Sequence, residues 1–547
     1  MTAPSSFCTI STGTCADELI GLLLSLSVHH PGAPVLCLVD ASSKRSIDSL
    51  SVPLQIQVEL DVCLNTYTGL NRKQMEQKGI WATFQMMKSV AIEKALAKYA
   101  DTLFLDSDIL VLSPILVDTT KQLGLSPHYI RKRDTDKFGF YNGGCLWTSD
   151  KTVPDAWRRY TKTSRFYDQA SIEDLAKEYS FFEFGDNYNV SWWRLNQSEE
   201  PPATIISRFT SGKGHILYNK KPIAFVHTHF SHQPSDQVVA YFNQMIMKLL
   251  KEAGMYKELT IIGRIMNRKW LIHVPKQPMP KPWDHTNDSF REQLVILASK
   301  HKQDIELVYD TTKNLVLDPA VMLYDRDTIR WFTNEGLPLL TKVYLGNCDQ
   351  TDAALVKNAG FLADPWIYWP RRPILVEGLL QKGLAQKGFA ERPIESLFIG
   401  NFENAVQQQH RTSEDWSKAV SEFHLTSGSV HKFTQREYLE KLSQARFGLC
   451  LRGYGVKCHR EIELMAFGTV LIATPNVNTT SYLEPLVEGT HYVRVEKPSD
   501  IPGIIAAIRP EQWTKMSTAC KDWYMRNIHS SSMWRTFMER VLYKPKH

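Results

Sequence analysis

Two α/β domains, each built on a parallel sheet, are what this sequence predicts, and three observations predict them. An apolar strand, an apolar-faced helix and a second apolar strand follow one another over 7–39. Short apolar runs alternate with helical periods through the second half. A segment with four prolines, His273-Val-Pro-Lys-Gln-Pro-Met-Pro-Lys-Pro-Trp283, separates two stretches of domain size. At 547 residues the chain exceeds one ordinary core, and ~150 residues per domain leaves room for roughly two to four units. The reading places a first domain at 1–272, a proline-rich linker at 273–289 and a second domain at 290–547.

Composition narrows the function classes. A hydrophobic content of 43% with 22% charged residues is that of a soluble globular protein. The net charge of +6 is mild for this length and forms no long basic run, so it permits anionic substrates without arguing for nucleic acid. The nine cysteines are scattered without a C-x-x-C pair, which favours reduced thiols and a cytoplasmic setting. No run of ~18 apolar residues and no charged start leading into an apolar stretch is present, so neither a membrane span nor a signal peptide is expected.

In the first domain, 7–12 reads as a strand, 17–28 as a helix and 35–39 as a second strand. Ser11, Thr12 and Asp40 stand at the strand ends, where an open α/β sheet takes its ligand. The helix 81–99 carries Lys88, a candidate partner for a diphosphate, and leads into Asp101-Thr-Leu-Phe-Leu-Asp-Ser-Asp-Ile-Leu-Val-Leu112. Residues 102–105 form a buried strand, so Asp106 and Asp108 sit where that strand leaves its sheet. Side chains two apart on an extended segment point the same way, and two hard oxygen donors suit Mg²⁺ or Mn²⁺. Phe138-Gly-Phe-Tyr-Asn-Gly-Gly-Cys-Leu-Trp147 reads as an Asn-Gly turn between apolar runs, with Gly143 and Gly144 allowing close backbone approach. Tyr167-Asp-Gln169 and Phe184-Gly-Asp-Asn-Tyr-Asn189 follow. The strand over 222–230 then ends in His227 and His229 on one face, either of which can complete a metal site.

This order of strand, Lys-bearing helix, Asp-x-Asp, Asn-Gly-Gly, Asp-Gln and late His-Phe resembles GT-A nucleotide-sugar glycosyltransferases of the glycogenin-like kind. The resemblance covers about the first half of the chain. It implies a Rossmann-like nucleotide-diphospho-sugar transferase domain that retains anomeric configuration. It also implies Asp106, Asp108 and His229 as ligands to Mn²⁺ or Mg²⁺, with His227 competing, and Asn142 and Asp168 near the sugar.

In the second domain, strand candidates recur at 294–298, 304–309, 341–345, 396–399, 423–426, 447–451, 470–473 and 492–495. The informative stretch runs from Arg446 to Val470: an apolar strand, Arg452, a Gly453-x-Gly455 loop and a helix starting near Cys458. Free amides at that helix start, with Arg452, Lys457 and Arg460, favour a diphosphate. Arg460 and Glu463 are three apart on the helix, so the carboxylate can hold ribose hydroxyls while the guanidinium stays near phosphate. With Gly468, this spacing resembles the carboxy-terminal half-domain of exostosin-like GT-B glycosyltransferases. That resemblance implies a doubly wound α/β domain binding its donor without metal. The expectation is a bifunctional enzyme that takes UDP- or GDP-sugars and a glycan or glycoconjugate acceptor. The alternatives are a single transferase fused to a non-catalytic glycan-binding module, and a nucleotidyltransferase.

Overall fold

In the computed structural model the described residues are 1–231, 236–273, 284–308, 322–324, 343–345, 360, 369–453, 455–482 and 484–543. The chain divides into two compact units, the first over Met1–Leu271 and the second beginning at Ile272.

The first unit is organised on β1 (Phe7–Ser11), β2 (Pro34–Val39), β3 (Gln57–Val62), β4 (Thr102–Leu105), β5 (Ile109–Val111), β6 (Leu123–Pro127), β7 (Tyr141–Thr148), β8 (Phe181–Glu183) and β9 (Val190–Ser191). Seven of these make one mixed sheet in the order β3-β2-β1-β4-β7-β6-β8. β1 is parallel to both β2 and β4, and β7 runs antiparallel between β4 and β6. Strands β1, β4 and β7 are buried along their whole length, and in β1 and β4 this burial matches the short apolar runs of the sequence. The helix Trp81–Leu96 packs Ala91, Ile92, Ala95 and Leu96 into the core beside Phe104 and Leu146. A small hairpin sheet follows, of β10 (Phe209–Gly212), β11 (His215–Tyr218) and β12 (Lys221–Pro222). β13 (Phe225–His227) lies between β5 and β9.

One expectation fails here. Residues 141–148 form a single strand, so Asn142 and Gly143 do not make a hairpin turn. Pairing on both edges, Leu103↔Trp147 with β4 and Gly124↔Trp147 with β6, outweighs the local turn signal.

β15 (Ile305–Val308), β16 (Met322–Tyr324) and β17 (Val343–Tyr344) form one sheet with β14 (Trp270–His273), the strand at which the chain enters the second unit. Its main sheet comprises β18 (Ile394–Phe402), β19 (Glu422–Ser427), β20 (Ala445–Cys450), β21 (Val470–Ala473) and β22 (Tyr492–Arg494). All neighbours are parallel, in the order β19-β18-β20-β21-β22. Phe398, Phe447, Leu449, Ile472 and Trp513 anchor its core. Residues 294–298, expected as a strand, lie inside the helix Asp284–Lys300. Leu294 and Leu297 are buried and Val295 is exposed, a helical period that a five-residue apolar run conceals.

Among the described residues no helix is long and apolar enough to cross a membrane, and the cysteines are free thiols.

In the helix His459–Ala466, Glu461 caps its own helix by accepting from the Cys458 amide, while its other oxygen is buried without a partner. Burial pushes its carboxyl up to about 7 against the pull of Arg460. The folded state therefore holds a proton that the unfolded chain gives up near 4.5, and stability falls as pH rises through this window. Denaturant unfolding of the second unit at pH 5 and pH 8 should show a loss of a few kcal/mol, and Glu461→Gln should remove most of it. Equal losses in both proteins would overturn this.

Candidate active site

The site grows from the end of β4. Asp106 donates its amide to the Gly144 carbonyl at 2.9 Å and accepts at its own carbonyl from Ile109 N at 3.2 Å, which tightens the Asp-Ser-Asp turn. β13 pairs antiparallel with β5 so that His227 stands opposite Ile109. This register brings an imidazole from more than a hundred residues away beside the two carboxylates. His227 Nε2 lies 3.1 Å from Asp108 Oδ1 and 3.9 Å from Asp106 Oδ2. Its Nδ1 lies 2.9 Å from Asn189 Oδ1, an acceptor only, so Nδ1 donates there and the ring is held with Nε2 turned to the carboxylates.

One ligand atom from each of Asp106, Asp108 and His227 falls within 4.8 Å of the others. Two carboxylates and an imidazole whose tautomer is set by an outer partner are a donor set that fits a divalent cation. His229 stands at the edge, its Nδ1 3.1 Å from Glu18 Oε1 and 3.4 Å from Asp108 Oδ2.

The electrostatics separate the two aspartates. Burial raises the Asp106 carboxyl, Lys88 opposes this and Asp108 adds to it. Burial would raise Asp108 too, but His227 and His229 outweigh it and hold that carboxyl well below the usual range. Lys88, buried on the helix Trp81–Leu96, places Nζ 3.1 Å from Asp106 Oδ1 and 3.2 Å from Asp168 Oδ2, and donates to the Gly143 carbonyl at 3.1 Å. Its ammonium is thus the internal counter-charge of two carboxylates, whose field raises its pKa despite burial.

Glycine is required where β7 passes this cluster. A Cβ on Gly143 would lie 2.6 Å from Asp168 Oδ2, and one on Gly144 2.5 Å from both Asp106 Oδ2 and His227 Cε1. Gly144→Ala must push the ligand set apart. Overpacking should cost about 1–3 kcal/mol of stability, and a displacement near 1 Å about a hundredfold in turnover. Wild-type turnover in a folded Gly144→Ala protein would show that the cluster tolerates the shift.

A cleft of about 640 Å³ opens over these groups. Ser11, Thr12, Lys88, Asp106, Asp108, Asn142, Asp168, His227 and His229 all line it. Asp40 does not. It caps the helix Ala41–Asp48 through Ser43 N and accepts from Gly13 N and the Thr68 hydroxyl, so it braces the turn after β1. Asn142 Oδ1 accepts from Gly144 N and Asn189 Nδ2, and its Nδ2 faces His128 Nε2 at 3.2 Å.

Sequence reasoning missed Glu18 and the holding role of Asn189. Glu18 is buried with Oε2 unpartnered. A carboxylate followed by Leu-Ile-Gly-Leu-Leu-Leu is the signal that could have marked it. Asn189 adopts a left-handed backbone (φ 49°), tolerated by Asn, which turns its amide towards His227.

In the second unit, Lys457 donates to the Ser481 carbonyl at 2.7 Å. Arg460 donates to the carbonyls of Ile399 and Leu451. Glu463 is buried; one oxygen accepts from Arg371 N at 2.9 Å and the other from the Tyr438 hydroxyl at 2.8 Å. Arg452 and Gly453 follow β20, with Gly455 beyond them.

No family model and no curated protein matches the chain. Among solved structures, the galactosyltransferase LgtC in complex with donor and acceptor sugar analogues aligns at 14% identity and TM-score 0.31, over 45% of this chain and 96% of that one. The glycosyltransferase GlyE of Streptococcus pneumoniae TIGR4 aligns at 10% identity and TM-score 0.30, over 93% and 99%. Mouse xyloside xylosyltransferase 1 aligns at 11% identity and TM-score 0.27, over 41% and 96%.

Proposed function

We propose that the first unit, with its boundary near residue 272, is a glycosyltransferase. It would move a sugar from a UDP- or GDP-sugar to a glycan or glycoconjugate acceptor, with Mn²⁺ or Mg²⁺ at Asp106, Asp108 and His227. The observation that supports this most is the cluster of two carboxylates and an oriented imidazole beside the carboxyl end of β4, under a cleft large enough for a nucleotide sugar. The glycogenin-like pattern in the sequence points the same way.

Two carboxylates alone repel a diphosphate, so the site needs a cation to accept one. When bound, such an ion offsets the negative charge that builds on the leaving diphosphate. The chain supplies the rest. Ser11 and Thr12 line the β1 wall, where the nucleotide would lie. Lys88 balances the charge of Asp168 at the floor of the cleft, where Asp168 and Asn142 would meet the sugar. Retention of configuration is what the resemblance implies, and the proton NMR spectrum of the product reads it directly.

The second unit reads best as a binding module. A second transferase on the exostosin-like pattern uses Glu463 towards its donor, and both oxygens of Glu463 are engaged within the protein. That contact pattern favours one transferase fused to a unit that binds without group transfer.

The test is a panel of nucleotide sugars and simple acceptors with the full chain, with Mn²⁺ or with excess EDTA. The expected result is nucleoside diphosphate released only with the cation. Release of pyrophosphate would make the protein a nucleotidyltransferase, and full turnover in EDTA would sink the metal assignment.

A further inference from the structure

Behind His227 the fold builds a support. β9 runs parallel to β13, so Ser191 stands beside His227 and donates from its hydroxyl to the His227 carbonyl at 2.6 Å. The helix Trp193–Asn196 follows at once. The Trp193 ring meets the His227 ring edge to face, 5.1 Å between centroids, and its indole N–H donates to the His128 carbonyl at 3.1 Å. Strand pairing thus fixes the backbone of His227, and Trp193 walls one side of its ring. Neither contact distinguishes one ring nitrogen from the other.

Asn189 makes that distinction, and a backbone amide sets its direction. Gly144 N–H donates to Asn142 Oδ1 at 2.9 Å, and a group that can only donate fixes that atom as the oxygen. The Asn189 atom facing it at 3.1 Å is therefore the nitrogen, which also donates to the Ser126 hydroxyl at 3.0 Å. The remaining amide atom is Oδ1, turned to His227 Nδ1 at 2.9 Å. Polarity passes in this way from the Gly144 amide through two side chains to the imidazole, and Nε2 is the nitrogen left for a cation.

Arg194 holds Asn189 in the place where this works. It is 1% exposed, and its guanidinium donates to the carbonyls of Asp186 at 2.5 Å, Tyr188 at 2.8 Å and Asn189 at 3.2 Å. One planar group thus spans the whole turn 186–189. Asn189, at φ 49°, is in the left-handed region, which a side chain keeps only where its surroundings hold it. The guanidinium lies 4.6 Å from the centre of the Tyr129 ring and 5.3 Å from that of Tyr218, and the Asp186 carboxylate acts on its charge.

We propose that Asn189 and Arg194 are positioning residues for His227: Asn189 commits Nδ1 to donation, which leaves Nε2 for a divalent cation, and Arg194 fixes the turn that aims Asn189. The proposal rests on the reading of Asp106, Asp108 and His227 as the ligand set. Neither Asn189 nor Arg194 lines the cleft, so their effect on an ion passes through the imidazole.

The Mn²⁺ affinity of the full chain, measured by calorimetry without substrate, tests this. Asn189→Gly removes the amide and leaves a residue at ease with positive φ, and affinity should fall about tenfold or more, the usual effect of losing the partner behind a metal-binding histidine. Arg194→Met should weaken binding on the same scale, and Arg194→Lys less, since an ammonium donates to a carbonyl but does not span the turn. Coupling separates positioning from a general loss of structure. In the Asn189→Gly background Arg194→Met should cost about twofold at most; a full loss there would make Arg194 a structural prop and overturn its role. Where Arg194→Met does not fold, Arg194→Lys carries the same comparison. Unchanged affinity in a folded Asn189→Gly protein overturns the inference and leaves the ligand set standing. Pulsed EPR of Mn²⁺ bound to the wild-type protein reads the ligand set by itself: the nitrogen coupling of a bound imidazole is expected, and its absence overturns the ligand set and the inference together.

Discussion

Asp108→Asn is expected to lower cation-dependent sugar transfer by about a thousandfold, or about 4 kcal/mol of transition-state stabilisation, while the protein stays folded. Asp108 is the hinge of the ligand set: Oδ1 faces His227 Nε2 at 3.1 Å and Oδ2 faces His229 Nδ1 at 3.4 Å. Its carboxyl is held ionised by these two rings. Asn keeps the volume and one carbonyl oxygen but removes the negative charge that would draw the proposed ion. Affinity for Mn²⁺, measured by calorimetry without substrate, should fall together with turnover. Glu18 is a useful contrast, since Glu18→Gln removes a buried charge that meets His229 but is outside the three-residue cluster. A folded Asp108→Asn protein keeping more than a tenth of wild-type turnover at saturating Mn²⁺ would remove Asp108 from the ligands.

The parts of this site legible in the sequence were those fixed by local geometry. The β1–helix–β2 opening is carried by apolar runs of the right length, and Asp106 and Asp108 follow from strand alternation at the end of one buried strand. The choice between His227 and His229 was not legible. Both lie on one face of an extended segment, and only the non-local register His227↔Ile109 sets His227 against the carboxylates. Asn142-Gly143 was misread for the same reason: strands on either side override its turn signal. Lys88 reads in the sequence as a candidate partner for a diphosphate; the fold sets it in the cleft lining, buried against Asp106 and Asp168, and these two contacts were not legible. In the second unit the strands at 447–451 and 470–473 were legible as apolar runs, since central strands of a parallel sheet are covered on both faces, whereas the edge strand at 423–426 is only partly buried and mixes Phe423 and Leu425 with His424 and Thr426.

Lys88→Met should be the most destabilising single change in the first unit, by ~3–5 kcal/mol at pH 7. Met retains an unbranched apolar chain of similar length, so the loss reports the ammonium, which lies over the Phe104 ring as well as beside the carboxylates, more than the buried stem. Without it, Asp106 and Asp168 are left as buried carboxylates near each other and near Asp108, with the Gly143 carbonyl unpartnered by Nζ. Burial and Asp108 already raise Asp106, and Lys88 is the main group opposing them, so its removal raises that carboxyl further. A carboxyl raised in the folded state costs stability as pH climbs from its unfolded value towards its folded one. The deficit of Lys88→Met relative to wild type should therefore be small near pH 4 and grow towards pH 7. Adding Asp168→Asn should return part of the loss, because one of the stranded charges is gone. Guanidinium unfolding of the four proteins of this cycle, followed at both pH values, measures the deficit and the coupling together. A deficit under about 1 kcal/mol at pH 7, or one that does not change with pH, would mean that Lys88 is solvated in solution and that Asp106 does not depend on it.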